Sequence, residues 1–400
     1  MNPEENPLEN RIGPEIRSAM DEARAAKPTE EAAFAPESAA LTTDVEEYRG
    51  LRWVFIGSQG LRAGWSVLLF LVFVRFLLYA TGWAANLFLH KVVHAKPNTF
   101  TPVTGMIGEL AGVLSILGAG ALVALIEHRS ILDYNLTGPR RLVHFVGGLA
   151  GGFAALSALV GALAWGGWLH FGPIALSGSQ IFSFAALWGA TFLLVGFFEE
   201  GTFRCYLQFT LARGINFWWA LGIIGVVCGG LALTVKGDGV WGVYAVALLG
   251  LVPCLILHLK KTEGSGFWQA AWVTSTLFGV IHVSNNGENW IGIFAAAAIG
   301  FVFCVSVRLT GSAWWAIGCH AAWDWAETYF YGAADSGLPA QGHLLTTTPE
   351  GNPLWSGGTD GPEGSLLVLG VVLLLLAALI VLYGRGRVAA PPEPATVSAQ

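Results

Sequence analysis

Between residues 60 and 385 the chain is a succession of long apolar runs parted by short polar breaks. Ten of them approach the twenty or so residues that a helix needs to cross the hydrocarbon core of a bilayer. They are 64–88, 105–126, 142–168, 181–211, 217–235, 240–257, 267–282, 290–307, 312–331 and 365–383. None alternates apolar and polar positions as a barrel strand does. Lipid offers no partner to an exposed backbone amide, so each run is predicted to be helical. The pattern thus predicts an all-α, polytopic transmembrane helical bundle of about ten spans. Segment 267–282 is the shortest, and 312–331 carries the most polar residues.

Composition strengthens this reading. Hydrophobic residues make up 54% of the chain and charged ones 12%, about half the charged share of a soluble domain. The 17 Trp and 52 Gly fit membrane helices and their interfaces. Residues 1–50 are different, rich in Pro, Ala and Glu, and are predicted to be a disordered cytoplasmic tail with no signal peptide. Residues 389–400, with Pro391, Pro392 and Pro394, read as a second disordered tail, leaving 51–388 as the transmembrane domain. Basic residues set the orientation. Arg49, Arg52, Arg62, Arg129, Arg140, Arg141, Arg213, Lys260, Lys261, Arg308, Arg385 and Arg387 fall on one side of a ten-span path, and only Lys91, Lys96 and Lys236 on the other. The positive-inside rule then puts both termini in the cytoplasm, of a plasma membrane if the source is bacterial. The net charge of −6 includes no Arg/Lys cluster suited to a phosphate backbone, which excludes nucleic acid as a partner. All five cysteines lie inside apolar runs and none forms a CxxC pair, so they are expected to be buried hydrophobes.

Ionisable groups at bilayer depth are costly and mark function by default. The fourth run contains Gly196-Phe-Phe-Glu199-Glu200-Gly-Thr-Phe-Arg204, the seventh Phe278-Gly-Val-Ile-His282 followed by Asn285 and Asn286, and the ninth His320-Ala-Ala-Trp-Asp324 with Glu327 beyond. Glu200 and Arg204, four apart, share a helix face and are predicted to pair. Glu199 points about 100° away, without that countercharge, and is the carboxylate free for general-base chemistry. His320, Asp324 and Glu327 fall on one face at i, i+4 and i+7, with Asp324 able to orient the His320 imidazole. Glu199, His282 and His320 lie roughly 8 to 15 residues from the cytoplasmic ends of their runs, about 12–22 Å deep. One carboxylate and two imidazoles at a common level could activate water. Arg75 and Glu109 belong to no motif and are read as structural. The Gly147-Gly148 and Gly151-Gly152 steps are expected to let helices approach closely.

The ordered set Glu-Glu-x-x-x-Arg, Phe-x-x-x-His and His-x-x-x-Asp resembles the CAAX-protease and bacteriocin-processing (CPBP) family, which includes the Rce1-type prenyl-protein endopeptidases. Phe203-Arg204-Cys205-Tyr206-Leu207 is similar to that family's Phe-Arg-Gly-Tyr-Leu, with Cys205 in place of Gly, and the lead-in Thr310-Gly311-Ser312 to Ile317-Gly318 also follows it. The likeness covers about 186–330, the expected peptidase core. It implies that Glu199 activates water with help from His282, that His320 and Asp324 stabilise the oxyanion, and that Glu200, Arg204 and Phe278 support them. Asp324 stands where Asn is common. An ionised Asp cannot donate a hydrogen bond, so that role requires its acid form or action through His320. The run 217–257 separates two motifs that the family holds close together, and reads as a helical hairpin inserted into an eight-helix core.

The resemblance implies an intramembrane endopeptidase acting on a membrane-associated protein or peptide, lipidated or not, at the bilayer. No cofactor is favoured, although zinc held by Glu199, His282 and His320 is the alternative, with no HExxH pair present. Two rival classes use the same residues: a proton- or cation-coupled transporter, against which no internal repeat is found, and a catalytically silent scaffold of the same family.

Overall fold

The computed structural model describes residues 54–57, 60–94, 101–237, 239–262, 264–285, 287–335 and 341–384. The two predicted tails lie outside them. The chain divides into two compact units, 1–60 and 61–400, and the second holds everything discussed below.

Each of the ten apolar runs is a helix, and the polar breaks supply the stops. The helices are α1 (Ala63–Phe88), α2 (Pro102–Ile126), α3 (Arg141–Trp165), α4 (Ser179–Glu200), α5 (Phe217–Thr234), α6 (Gly239–Leu259), α7 (Ser265–Ile281), α8 (Trp290–Thr310), α9 (Trp314–Asp324) and α10 (Leu367–Tyr383). Thr101 begins α2 with a capping box to Thr104 and Pro102 in the first turn. Asn216 and Asn289 cap α5 and α8 by accepting backbone N–H bonds, and Gly311, at φ 76°, ends α8 in the left-handed conformation that favours glycine. Seven helices are long and apolar enough to cross a membrane by length and composition: α1 to α6, α1 and α4 with their extensions, and α8. The other three are α7 and α10, of 17 residues each, and α9, of 11. The architecture is an all-α polytopic membrane bundle.

Two helices depart from the continuous form that the sequence predicts. Immediately after Glu200, α4 passes into a π-helical stretch, Gly201–Leu207, before resuming at Gln208–Ala212. Immediately after Asp324, α9 does the same over Trp325–Tyr331. Both widened turns follow a motif carboxylate, the kind of position where π-bulges recur.

Glycine determines how closely α9 packs. A Cβ on Gly148 would lie 2.2 Å from the Trp315 carbonyl oxygen, one on Gly152 2.1 Å from that of Cys319, and one on Gly318 2.3 Å from that of Phe145. Helices α3 and α9 therefore touch backbone to backbone, as the Gly–Gly steps predict. Gly196 gives α4 a similar approach to α9. The hairpin α5–α6 shares an apolar core with α7 and α8 through Ile224, Val243, Val246, Val273 and Ile293. All five cysteines are free and buried.

The segment between α9 and α10, which the sequence marks only as a loop without Lys or Arg, is fastened in place. Thr347–Pro349 pairs antiparallel with Leu169–Phe171, His170 opposite Thr348. Trp355 stacks on Trp168 at 5.3 Å, and the Asn289 amide donates to the Gly364 carbonyl at 3.0 Å. Backbone bonds from Leu344 and Leu345 to Tyr329 and Phe330 complete the attachment.

Candidate active site

The last residues of α4 bring two carboxylates into the bundle on different faces. Glu200 is fully buried. Its Oε2 lies 3.1 Å from Arg204 Nε, and its Oε1 accepts from Arg204 Nη1 at 3.3 Å. The i, i+4 pair predicted from the sequence is therefore present, although Arg204 lies beyond the helical transition. The guanidinium is enclosed by Phe278, Phe303 and Phe203, with ring centroids 4.3, 5.3 and 5.7 Å away. Gly300 leaves it room, since a Cβ there would lie 2.5 Å from Nη2.

Glu200 has a second partner that the sequence did not reveal. His320 Nδ1 lies 2.9 Å from Glu200 Oε1. A carboxylate bonded to Arg204 only accepts, so Nδ1 carries the proton and donates it. The opposite nitrogen, Nε2, stands 3.4 Å from Asp324 Oδ2 and 3.8 Å from Glu199 Oε2. Sequence spacing gave the orienting of His320 to Asp324; in the structure Glu200 holds Nδ1, and Asp324 and Glu199 face Nε2. The physical reason is the close approach of α4 to α9, which spacing along α9 alone cannot express. Phe303 stacks on the His320 ring at 5.8 Å and fixes its plane.

His282 ends α7. Its Nδ1 lies 2.7 Å from the Phe278 carbonyl oxygen, so Nδ1 donates to the backbone and Nε2 is the accepting nitrogen. Phe278 itself packs on the His282 ring at 5.0 Å while covering Arg204. Glu199 is about a quarter exposed, and its Oε2 is buried without a hydrogen-bond partner. Glu199, Phe278, His282, His320 and Asp324 line one cavity of about 330 Å³, with Glu200 and Arg204 behind His320.

Other residues enter differently from the sequence reading. Glu109, set aside as structural, lines the same cavity and makes no ion pair among the described residues. Glu327 does not join His320 and Asp324 on a common face. The widened turn after Asp324 carries it round toward Asp335 and Glu363, with ligand-type oxygens of all three within 4.8 Å of one another. Asn285 lines the cavity, while Asn286 lies outside the described residues. Glu288, Asp335 and Glu363 reach the cavity from loops. Sequence reasoning missed these three because polar loop residues ordinarily face water; for Asp335 and Glu363 the stretch 332–364, which has no Lys or Arg, was the available signal, and Glu288 had none.

Burial shapes these loop acids. It pushes the Glu288 carboxyl up to about 9, reinforced by the charges of Asp360 and Glu363. It raises Asp360 to about 7 against a backbone N–H bond from Asn289, and Asp335 to about 6 against a hydrogen bond from Thr328. Among the described residues, the donor atoms of Glu199, His282 and His320 do not all fall within 4.8 Å of one another, as oxygens of Glu327, Asp335 and Glu363 do.

Residues 181–264 and 253–326 match the family described as type II CAAX prenyl endopeptidase Rce1-like. No curated protein and no solved structure matches.

Proposed function

We infer that this chain, a member of the CPBP group of intramembrane proteases through its Rce1-like domain, hydrolyses its peptide bond with water activated by Glu199. The observation that carries this reading is the unequal state of the two adjacent glutamates. Glu200 is fully buried in its ion pair with Arg204 and accepts from His320, whereas Glu199, about a quarter exposed, opens onto the cavity with His320 Nε2 no nearer than 3.8 Å. In the proposed step, Glu199 takes a proton from water while the hydroxide oxygen attacks the peptide carbonyl carbon. His282 Nε2, its tautomer set by the Phe278 carbonyl, accepts a hydrogen bond from that water. His320 acts as an imidazolium: its Nδ1–H donates to Glu200, and its Nε2–H, which faces Asp324 at rest, turns its hydrogen bond to the developing oxyanion. Collapse of the tetrahedral intermediate breaks the C–N bond, and Glu199 returns its proton to the leaving amine. The family's description names prenylated substrates, so a prenylated peptide is the first to try.

The test is cleavage of a farnesylated peptide and its unprenylated counterpart by protein in proteoliposomes, with metal content measured on the same sample. Glu199→Gln should remove turnover with folding intact, because an amide keeps the shape but takes no proton. Turnover that survives this substitution, or that tracks stoichiometric zinc, would overturn the glutamate-based reading.

A further inference from the structure

The end of α9 and the segment that follows it bring three carboxylates together away from the His320 face. Glu327 is fully buried, and neither of its oxygens has a hydrogen-bond partner. A buried carboxylate in that state is costly unless it is neutralised or coordinates a metal. Its neighbours are Asp335 and Glu363, the three offering oxygens within 4.8 Å of one another. Each neighbour is held by a donor: Thr328 Oγ1 donates to Asp335 Oδ2 at 2.9 Å, and Trp323 Nε1 to Glu363 Oε1 at 2.6 Å. Gly361, at φ 102°, closes the chain on this point; a Cβ there would lie 2.1 Å from the Ala334 carbonyl oxygen.

We propose that Glu327, Asp335 and Glu363 form a binding site for a hard divalent cation of the calcium class. Oxygen-only donors select such ions over zinc or copper. Calcium–oxygen bonds of about 2.3–2.6 Å span oxygens up to roughly 5 Å apart across the ion, whereas magnesium at about 2.1 Å spans roughly 4.2 Å. Oxygens that all lie within 4.8 Å of one another fall inside the span that a calcium ion bridges. The stretch 332–364 contains no Lys or Arg to supply the positive charge instead. The cation ties the end of α9 to the segment over the cavity, because Asp335 and Glu363 also line that cavity. Binding and peptidase chemistry are separable, since the site uses none of Glu199, His282 and His320.

The experiment uses full-length protein in detergent, stripped with chelator and titrated with calcium, and separately with magnesium, by calorimetry and thermal melting. One saturable calcium site per chain is expected, with magnesium weaker and the melting temperature rising with calcium. Glu327→Gln and Asp335→Asn should each weaken calcium binding at least about tenfold, since affinity follows ligand charge. In chelator, Glu327→Gln should melt no lower than the native protein, because an uncompensated buried charge has been removed. If one variant does not fold, the other carries the test. Absence of saturable calcium binding by the folded native protein, or native affinity in either folded variant, would overturn the proposal.

Discussion

Replacing Glu200 by Gln separates support from chemistry at this site. The carboxylate and the Arg204 guanidinium are both wholly buried and lie 3.1 Å apart. Removing one partner of such a pair leaves the other as a buried, uncompensated charge, at a cost of about 3–5 kcal/mol. The three surrounding phenylalanines offset only part of this, about 0.5–2 kcal/mol for a cation over an aromatic face. The Gln carbonyl can still accept from His320 Nδ1, so the imidazole keeps its orientation. Glu200→Gln should therefore unfold far more easily, yet retain measurable turnover per folded molecule. Glu199→Gln should change stability by no more than about 1 kcal/mol, since its contact with His320 Nε2, at 3.8 Å, is longer than a hydrogen bond and its side chain is about a quarter exposed. Combining Glu200→Gln with Arg204→Met should recover most of the loss, because removing both charges spares the unpaired one. Unfolding titrations in mixed micelles, paired with turnover on the folded fraction, measure both quantities. Equal stability in the two single variants, or a double variant weaker than the sum of its parts, would refute the reasoning.

Gly152→Val should force α3 off α9, because even a Cβ would lie 2.1 Å from the Cys319 carbonyl oxygen. The expected loss exceeds the roughly 1–3 kcal/mol of ordinary overpacking, read as a reduced monodisperse fraction in detergent. No described residue of 217–257 lines the cavity, so a deletion joining Gly214 to Gly264 should lower stability yet leave peptidase activity in the folded monodisperse peak; a folded but inactive variant would make the hairpin part of the substrate path. The loop acids set a pH trend in chelator: Asp335, Asp360 and Glu288 stay protonated in the fold up to about 6, 7 and 9. The unfolded chain releases those protons near pH 4, so the fold binds more protons and these groups make stability fall as pH rises from about 4 to 9. Melting curves from pH 5 to 8 check this, and a melting temperature rising over that interval would contradict it.

The sequence by itself determined the helices, because bilayer-length apolar runs leave the backbone no other way to satisfy its hydrogen bonds. It also determined the Glu200–Arg204 pair, since groups four residues apart on a helix meet whatever the surrounding fold. The order of the three motifs was legible for the same reason: each is a local pattern within one helix. What joins different helices was not. The bond from His320 to Glu200 links residues 120 positions apart and exists only because glycines let α4, α3 and α9 approach closely. The helix period also assumed an unbroken α-helix, and the π-helical turn after Asp324 moved Glu327 from the predicted face to the company of Asp335 and Glu363. Those two sit in a segment whose polarity reads as solvated loop; its strand pairing, tryptophan stack and amide bonds bring it over the cavity. Local periodicity carries the first class of facts, while the second depends on distances through space that only packing decides.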